Sequence, residues 1–308
     1  MALLRHLAIA TLLSACGLSG AEGGGSANLP SASGGPYAKP DPDSTTPAEE
    51  PYVIVASDAD LRDPCALAAP GGGFDVWFTH GSPDDLNVDI WYAHLPTIHD
   101  KPDVGPMLVV TGGAAPSVVR RPDGSFDLYF QASGAIGRAH SDDGHTWAPG
   151  LTVLADASNP SALMVGEHTY LYFDRADGRG IGLAEADGNG PFVRTPDPVV
   201  TASTGDPNAF DRAGVGEPDA VGGLTAAGEL HVTLFYVGTS SNGTAAVGAL
   251  GSSDGHTFMP YLGGKAVLEP GSPDDHGPSA VLFPDRGVLF FSQARAARTV
   301  IAVATTSE

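Results

Sequence analysis

Residues 62–67 read RDPCAL, and variants of this phrase return four more times along the chain. The variants are APSVV (115–119), NPSAL (159–163), EPDAV (217–221) and GPSAV (277–281). Each holds a proline, then a small residue, then mostly apolar ones, and the prolines stand 52, 44, 58 and 60 residues apart. Repeats of about this length indicate a propeller or a solenoid.

The sequence after each proline also repeats, as short apolar strands separated by turns. The second strand of each repeat is rich in aromatic residues: FDVWF (74–78), FDLYF (126–130), YLYF (170–173), VTLFY (232–236) and VLFF (288–291). No helical apolar period of useful length occurs outside the N-terminus. Short strands of even spacing predict an all-β fold, and five repeats predict a five-bladed β-propeller over residues 51–308.

The last repeat has only 30 residues after Pro278, which is enough for three strands but not four. The segment YVIVA (52–56), just before the first repeat, is expected to supply the missing outer strand. Such an N-terminal strand would close the last blade and remove an exposed sheet edge.

The N-terminal segment predicts export. Residues 1–16, MALLRHLAIATLLSAC, combine a basic Arg5, an apolar run too short to span a bilayer and a terminal Cys16, a pattern that resembles a bacterial lipoprotein signal with its lipobox. Residues 17–50 are rich in Gly, Ser and Pro and predict a flexible tether. Because Gly17 rather than an Asp follows, we expect an exported protein held by its lipid in the cell envelope, at the outer membrane of a Gram-negative bacterium.

Cysteine usage and net charge restrict the possible disulfides and partners of the protein. Cys16 and Cys65 are the only cysteines, and a lipidated Cys16 would leave Cys65 as a lone buried thiol. The formal net charge of −21 disfavours nucleic acid as a partner. We expect a monomer whose membrane contact is the lipid anchor alone.

Two segments, SDDGHTW (141–147) and SSDGHTF (252–258), resemble the Asp-box turns of sugar-active propellers. Both fall between the third and fourth strands of a blade, where Asp and Gly stabilise a hairpin turn. We interpret them as structural turns, and we do not expect His145 or His256 to be ligands.

Strand alternation places the functional face on the other side of the propeller. Residues that precede the repeated prolines, and the loops between second and third strands, share one mouth. This mouth is expected to hold Asp63, Asn159, Glu217 and His276, together with the loops 81–88, 174–179, 204–216 and 294–298. In loop 204–216, Phe210 is either a sugar-stacking platform or a loop anchor. The charged residues of loop 174–179 are interpreted as an exposed cluster.

The blade phrases resemble the five-bladed catalytic domains of glycoside hydrolase family 43 and the related families 32, 68 and 130, over residues 51–308. The resemblance implies Asp63 as general base, Glu217 as general acid, and Asn159 at the position of a third carboxylate that tunes a pKa and holds substrate. It also implies that His276 lines the axis, where it would help to hold a metal ion, and that Arg298 contacts the sugar. An oligo- or polysaccharide is the implied partner. No cofactor is required, although a structural calcium or another ion on the axis fits the pattern.

Three positions depart from the family pattern. Glu217 directly precedes Pro218, whereas the family usually places a Gly between them; Asn159 is neutral; and Ser117 replaces a common Asp. Without a charge at 159, an acidic pH optimum is expected. The alternatives are a glycoside hydrolase, a non-catalytic carbohydrate-binding or scaffold propeller, and, less consistent with five blades, a sialidase that would use arginines such as Arg175. Whether Asp63 and Glu217 converge on one pocket separates the first two.

Overall fold

The computed structural model describes residues 54, 59–81, 88–268, 275–284, 286–295 and 298–306. It is an all-β fold of five antiparallel sheets. Blade 1 contains β1 (Leu61–Ala68), β2 (Phe74–His80), β3 (Asp89–Leu95) and β4 (Val104–Thr111), and blade 2 contains β5 (Ala114–Arg120), β6 (Phe126–Ala132), β7 (Ala135–Ser141) and β8 (Leu151–Ala155). Blade 3 contains β9 (Ala157–Val165), β10 (His168–Arg175), β11 (Ile181–Asp187) and β12 (Val193–Arg194).

Blade 4 contains β13 (Gly214–Leu224), β14 (Leu230–Thr239), β15 (Ala245–Ser252) and β16 (Met259–Pro260), followed by a short 3₁₀ helix, Tyr261–Gly263. Blade 5 contains β17 (Asp275–Leu282), β18 (Gly287–Arg295) and β19 (Arg298–Thr305). Within each sheet the strands neighbour one another in chain order. The first strand of each blade contacts the first strands of both adjacent blades, including β17 with β1. The predicted five-bladed β-propeller is therefore confirmed, with the repeated proline phrases on its axis.

The core lies between the blades. Five clusters of buried apolar side chains fill the five interfaces, and the aromatic second strands supply their largest members. Between blades 1 and 2, for example, Trp77 lies 6.2 Å from Phe126, ring centre to ring centre, and its indole N–H donates to the carbonyl of Gly144 at 3.0 Å. Because the apolar area is buried between blades, a single blade has no core of its own.

The described part of the N-terminal segment pairs with the last blade. Ile54 forms an antiparallel bridge with Ile301, with N–H to O distances of 3.1 and 3.3 Å in the two directions. A little further on, Asp60 Oδ1 accepts the N–H of Thr299 at 2.6 Å. Ile54 lies in the segment expected to close blade 5; its neighbours 52, 53, 55 and 56 lie outside the described residues.

A ring of hydrogen bonds closes the propeller around its axis. In every blade, the side chain of the residue after the repeated proline accepts the N–H of the second residue after the proline in the next blade. The five bonds are Cys65 Sγ from Val118 (3.2 Å), Ser117 Oγ from Ala162 (2.9 Å), Ser161 Oγ from Ala220 (2.7 Å), Asp219 Oδ2 from Ala280 (2.8 Å) and Ser279 Oγ from Ala66 (2.9 Å). The small residues noted in the sequence thus leave room at the crowded axis and also join the blades.

One expectation about this ring is wrong. A lone thiol is expected at Cys65, whereas the described residues hold no free cysteine. The other cysteine of the chain, Cys16, lies outside the described residues, as do the expected signal, residues 1–16, and the expected tether, residues 17–50. One sulfur atom cannot carry both a lipid and a disulfide, so lipidation of Cys16 and a disulfide to Cys16 exclude each other. Within the described ranges, no helix is long and apolar enough to cross a membrane.

Candidate active site

The axial mouth is built on one backbone feature repeated five times. Each inner strand bulges at its X-Pro pair, so that two residues face one on the second strand. The residue before the proline has a left-handed backbone in every blade: Asp63 (φ 50°), Ala115 (48°), Asn159 (45°), Glu217 (49°) and Gly277 (56°). Four of these are not glycine, and such residues cost about 1–3 kcal/mol each. These five positions and their prolines line one axial pocket.

Asp63 enters this pocket from β1. Its Oδ2 accepts a hydrogen bond from the Thr79 hydroxyl at 3.0 Å, and the Arg62 guanidinium lies 3.8 Å away. Burial raises the pKa of the Asp63 carboxyl above its usual value, and the negative charge of Glu217 adds to this, while Arg62 acts in the opposite direction. The Asp63 carboxyl group therefore ionises at a higher pH than an ordinary aspartate.

Glu217 enters the same pocket from β13 and is held at both carboxylate oxygens. Its Oε2 accepts the N–H of Gly277 at 2.7 Å, and its Oε1 lies 3.2 Å from Nδ1 of His276. About a quarter of the side chain, 27%, stays exposed to the mouth. The carboxylate is thus oriented by blade 5 while remaining open to solvent and to a ligand.

Gly277 joins the two carboxyl groups in space. Its N–H binds Glu217, and a Cβ atom added to it would lie 3.3 Å from Oδ1 of Asp63. The two acids therefore lie on either side of a single residue and converge on one pocket. The offset of Glu217 from its proline, which departs from the family pattern, does not turn it away, because all five pre-proline residues share the bulge.

A third carboxyl group, absent from the predicted site, lies beside Glu217. Asp174, near the end of β10, accepts the Glu217 N–H on Oδ1 at 2.9 Å and the Asn159 side-chain amide on Oδ2 at 2.8 Å. Burial raises the pKa of Asp174 to about 7, and the charge of Glu217 adds to the shift. The sequence interpretation of 174–179 as an exposed charge cluster is wrong for Asp174.

Two other members of that cluster, Asp177 and Arg179, are exposed as expected, whereas the Arg175 side chain is only 12% exposed. Asp177 accepts hydrogen bonds from Arg175 and Arg179 at 2.8 Å each, away from Asp174. Successive side chains of a strand point to opposite faces, so Asp174 and Arg175 separate. The single signal that would have identified Asp174 is its register position, which is opposite Ser158, next to Asn159.

A fourth acid lies deeper on the axis. Asp219, in the ring described above, is only 5% exposed, and the N–H of Ala280 donates to it at 2.8 Å. Burial raises its pKa to about 8. Asp219 is therefore mainly protonated at neutral pH and differs from the serines that occupy its position in blades 2, 3 and 5.

The remaining predicted site residues fall into two groups. His276 lies in the mouth against Glu217, and Arg298 begins β19 opposite Arg295, at the hairpin on the same face. Phe210 instead packs on blade 4: its ring lies 5.8 Å from Tyr236, and Cβ atoms added at Gly238 or Gly248 would clash with it, at 2.5 and 2.4 Å. These contacts are those of a loop anchor, the alternative to a sugar-stacking platform.

An axial metal ion finds few ligands in the described part of the chain. No group of three or more His, Cys, Asp or Glu side chains there is arranged to hold a metal ion. His276 and Glu217 alone offer two ligands, short of the four that zinc or the six to eight that calcium prefers. The described residues do not fit the implied ion.

The two Asp-turns have the structural role expected of them. In the first, Asp143 Oδ1 accepts the N–H groups of His145 and Thr146 at 2.8 and 2.7 Å, and Asp254 does the same for His256 and Thr257 at the same distances. These bonds hold the pKa of both aspartates well below the usual range. Each turn docks on the preceding blade, the second through Tyr172, whose hydroxyl donates to the Gly255 carbonyl at 2.9 Å.

Comparison with known proteins adds fold-level information. No protein-family model matches the sequence, and no curated protein matches it. Among solved structures, the catalytic domain of a glycoside hydrolase family 62 α-L-arabinofuranosidase from Coprinopsis cinerea is similar, with a TM-score of 0.65 and 11% identity over 84% of this chain and 95% of that chain.

An α-L-arabinofuranosidase from Podospora anserina, in complex with cellotriose, gives 0.62 and 13% over 84% and 95%. A family 117 glycoside hydrolase from Zobellia galactanivorans gives 0.55 and 14% over 88% and 89%. At such identities the likeness concerns the fold alone. The chain is a five-bladed β-propeller similar in architecture to solved glycoside hydrolases of families 62 and 117.

Proposed function

We propose that the protein is a glycoside hydrolase in which Asp63 and Glu217 act together on a glycosidic bond. The observation that carries the proposal is their convergence on Gly277 inside one axial pocket. Glycoside hydrolysis needs two carboxyl groups on the scissile bond, one to donate a proton and one to activate water or attack. The fold similarity to α-L-arabinofuranosidases directs the search to arabinofuranosyl- and xylosyl-containing glycans.

In this mechanism Glu217 is the general acid. Its carboxyl is oriented by Gly277 and His276 and would protonate the leaving oxygen, while Asp63, steadied by the Thr79 hydroxyl, would act as general base on a water molecule. Because burial raises the pKa of Asp63, its carboxylate becomes protonated as the pH falls sooner than an ordinary aspartate does. Once protonated, it can no longer act as the base. The acidic limb of the pH–rate profile is then expected above the usual pKa of 3.8.

This pH expectation differs from the acidic optimum that follows from Asn159 alone. That expectation assumed no carboxyl group at the third-blade position, whereas Asp174 lies there and faces Glu217. A pH–rate profile of kcat/KM separates the two. An acidic limb well above pH 4 supports the ionisation of Asp63 as described, and a profile that is flat down to pH 4 contradicts it.

The test of the function is reducing-sugar release by the purified protein from arabinan, arabinoxylan, xylan, fructan and mannan oligosaccharides. Asp63→Asn and Glu217→Gln are each expected to lower turnover by about 10²–10⁴-fold. The matched controls are Asp142→Asn, at a position 97% exposed on the opposite face, and Glu229→Gln, at an exposed turn, and both should retain wild-type turnover.

The competing function is a non-catalytic carbohydrate-binding propeller. The same assays, joined to calorimetric titration with the oligosaccharides, distinguish it. Sugar binding without turnover in the wild type and in both site variants would reject the hydrolase and support the binding module.

We further propose that the chain is exported and anchored by a lipid on Cys16, from the signal-like residues 1–16 and the tether 17–50. A disulfide between Cys65 and Cys16 is the specific alternative, since one sulfur atom cannot carry both a lipid and a disulfide. Mass spectrometry of the protein purified from membranes decides between them. A diacylated N-terminal cysteine supports the anchor, and a peptide that joins residues 16 and 65 through sulfur contradicts it.

A further inference from the structure

Asp174 is a carboxyl group in contact with the Glu217 backbone that the two-carboxylate chemistry does not use. It lies on β10, between Asn159 of β9 in its own blade and Glu217 of β13 in the next. Both of its oxygens are occupied, so its side chain is fixed at two points. One of these points is the backbone of the residue that carries the proposed acid.

The sequence leaves space for this carboxyl group. A Cβ atom at Gly216 would lie 2.9 Å from Oδ2 and 3.1 Å from Oδ1 of Asp174, closer than real Cβ contacts. The equivalent residues of the other blades, two before the repeated proline, all carry side chains: Arg62, Ala114, Ser158 and His276. Only in blade 4, which follows Asp174, is this residue a glycine.

The position of Asp174 recurs around the ring with neutral side chains. In three other blades, the equivalent residue of the second strand caps the pre-proline N–H of the next blade. These bonds are Thr79 to Ala115 (2.8 Å), Gln131 to Asn159 (3.4 Å) and Ser292 to Asp63 (2.8 Å). Asp174 makes the same bond to Glu217 but brings a carboxyl group, and it does so only beside the proposed acid.

We propose that Asp174 is a positioning residue for Glu217, and that the Asn159–Asp174 pair carries the third carboxyl group of the site on β10 instead of β9. The inference rests on the proposed hydrolase function and deepens it. Asp174 holds the strained, left-handed backbone of Glu217 through its N–H, and Asn159 orients Asp174 by donating to its other oxygen. The third carboxyl group of the site is then displaced from position 159 to position 174 and is not lost.

The charges around Asp174 make this relation measurable. Glu217, from β13, is the titratable group that faces it; Asn159, from β9, is neutral; and Arg175, its neighbour on β10, is paired with Asp177. Burial and the charge of Glu217 both raise the pKa of Asp174, to about 7. A change in either partner should therefore shift the titration of Asp174.

The test exchanges the two residues. Asp174→Asn removes the charge and places two amides against each other, and Asn159→Asp places two carboxyl groups in contact. Each single variant is expected to lower kcat by about 10–100-fold, with KM changed by less than about threefold. In the double variant N159D/D174N, the amide of residue 174 can donate to the new carboxylate and its oxygen can still accept the Glu217 N–H. We expect kcat to recover to within about fivefold of the wild type.

The pH profile adds a readout that a merely structural role would not move. The transition near pH 7 contributed by Asp174 should be absent from D174N and displaced in the double variant. Wild-type kcat and an unchanged pH profile in D174N, or a double variant no better than the worse single one, would overturn the proposal. Asp142→Asn, on the opposite face, serves as the control for loss of an aspartate.

A second measurement does not depend on turnover. The carboxyl carbon of Asp174, assigned by its loss in D174N, is followed by carbon-13 NMR across pH in the wild type and in Glu217→Gln. A lower midpoint in Glu217→Gln supports the coupling of the two groups, and an unchanged midpoint overturns it. A wild type without turnover rejects the hydrolase function, and the NMR titration still decides whether Asp174 and Glu217 act on each other.

Discussion

In blade 2 the inner strand carries Ala115 before its proline, whereas in blade 4 the same position carries Glu217. The backbone is alike at both: φ is 48° and 49°, and both inner strands bulge opposite the second strand. A residue with a methyl side chain and a residue with a carboxylate side chain thus adopt the same strained backbone conformation. The bulge therefore belongs to the propeller, and the chemistry depends on the side chain that each blade places on it.

The two blades also differ one strand further out. Gln131 of blade 2 caps the pre-proline N–H of the next blade, but Val237 of blade 4, at the equivalent register position, has no polar atom to do so. In blade 5 the pre-proline N–H belongs to Gly277. It receives no cap from Val237 and binds the Glu217 carboxylate instead. An apolar residue in blade 4 thus leaves a backbone donor free to hold the proposed acid.

The largest effect is expected when Glu217 of blade 4 is replaced by alanine, the residue at the equivalent position of blade 2. Glu217→Ala should lower glycan hydrolysis by about 10²–10⁴-fold. Because Ala115 shows that alanine is compatible with this backbone, the melting temperature should change by no more than about 5 °C. Hydrolysis rates and calorimetry on the same preparation measure both. A variant that loses its cooperative unfolding would show instead that Glu217 is needed for the fold.

The next effect tests whether Gly277 must be a glycine. Gly277→Ala adds a Cβ atom 2.9 Å from the Asp63 Cα, so one of the two strands has to shift, and the N–H that holds Glu217 shifts with it. We expect a decrease in kcat of about 10–100-fold and a lower melting temperature. Ala115 is the internal control, since it has a similar φ without this clash. Wild-type kcat in this variant would refute the role given to the Gly277 N–H.

A third test compares Asp219 with the serines of the axial ring. Its pKa of about 8 in the folded protein exceeds the ordinary 3.8, so the folded state binds more protons between these values. Stability contributed at this site therefore falls as pH rises through that window, by at most about 1.4 kcal/mol per pH unit.

Asp219→Asn removes this dependence and keeps an acceptor for the Ala280 N–H. Relative to the wild type, the free energy of unfolding of the variant should rise by about 2–4 kcal/mol from pH 5 to pH 8. Urea unfolding at several pH values measures the difference. A constant difference between the two proteins would contradict a protonated Asp219.

The smallest effect should come from giving blade 4 the polar residue that other blades have. Val237→Thr offers the Gly277 N–H a competing acceptor and should lower kcat by about two- to fivefold. Val232→Thr, buried on the same strand outside the axial mouth, controls for the cost of burying a hydroxyl. Equal losses in both variants would show that Val237 has no specific influence on Glu217.

Much of the fold could be predicted because its determinants are local and repeated. Each X-Pro phrase stands at the start of an inner strand, and the aromatic second strands follow it at regular distances, so five blades can be counted directly. The acids Asp63 and Glu217 could be found for the same reason, since they occupy the repeated position. Their convergence required the ring to close.

The position of Asp174 could not be predicted from the sequence pattern. The segment DRADGR (174–179) carries four charged residues in a hairpin, a composition typical of a solvated surface. Asp177 and Arg179 do lie at the surface, whereas Arg175 is mostly buried and Asp174 turns toward the axis because strand side chains alternate. Phe210 is a similar case, since its pocket is formed by two glycines, Gly238 and Gly248, on strands that follow it in the chain.

The sequence by itself determined the number of blades and the two acids that precede the repeated prolines, because each of these depends on residues adjacent in the chain. Only the tertiary structure decided what holds the acids. The Gly277 N–H that orients Glu217 is 60 residues away, and the Ser292 hydroxyl that caps Asp63 is 229 residues away. Such bonds form only when the five blades meet around one axis, because ring closure brings the inner strand of each blade against the second strand of the blade before it.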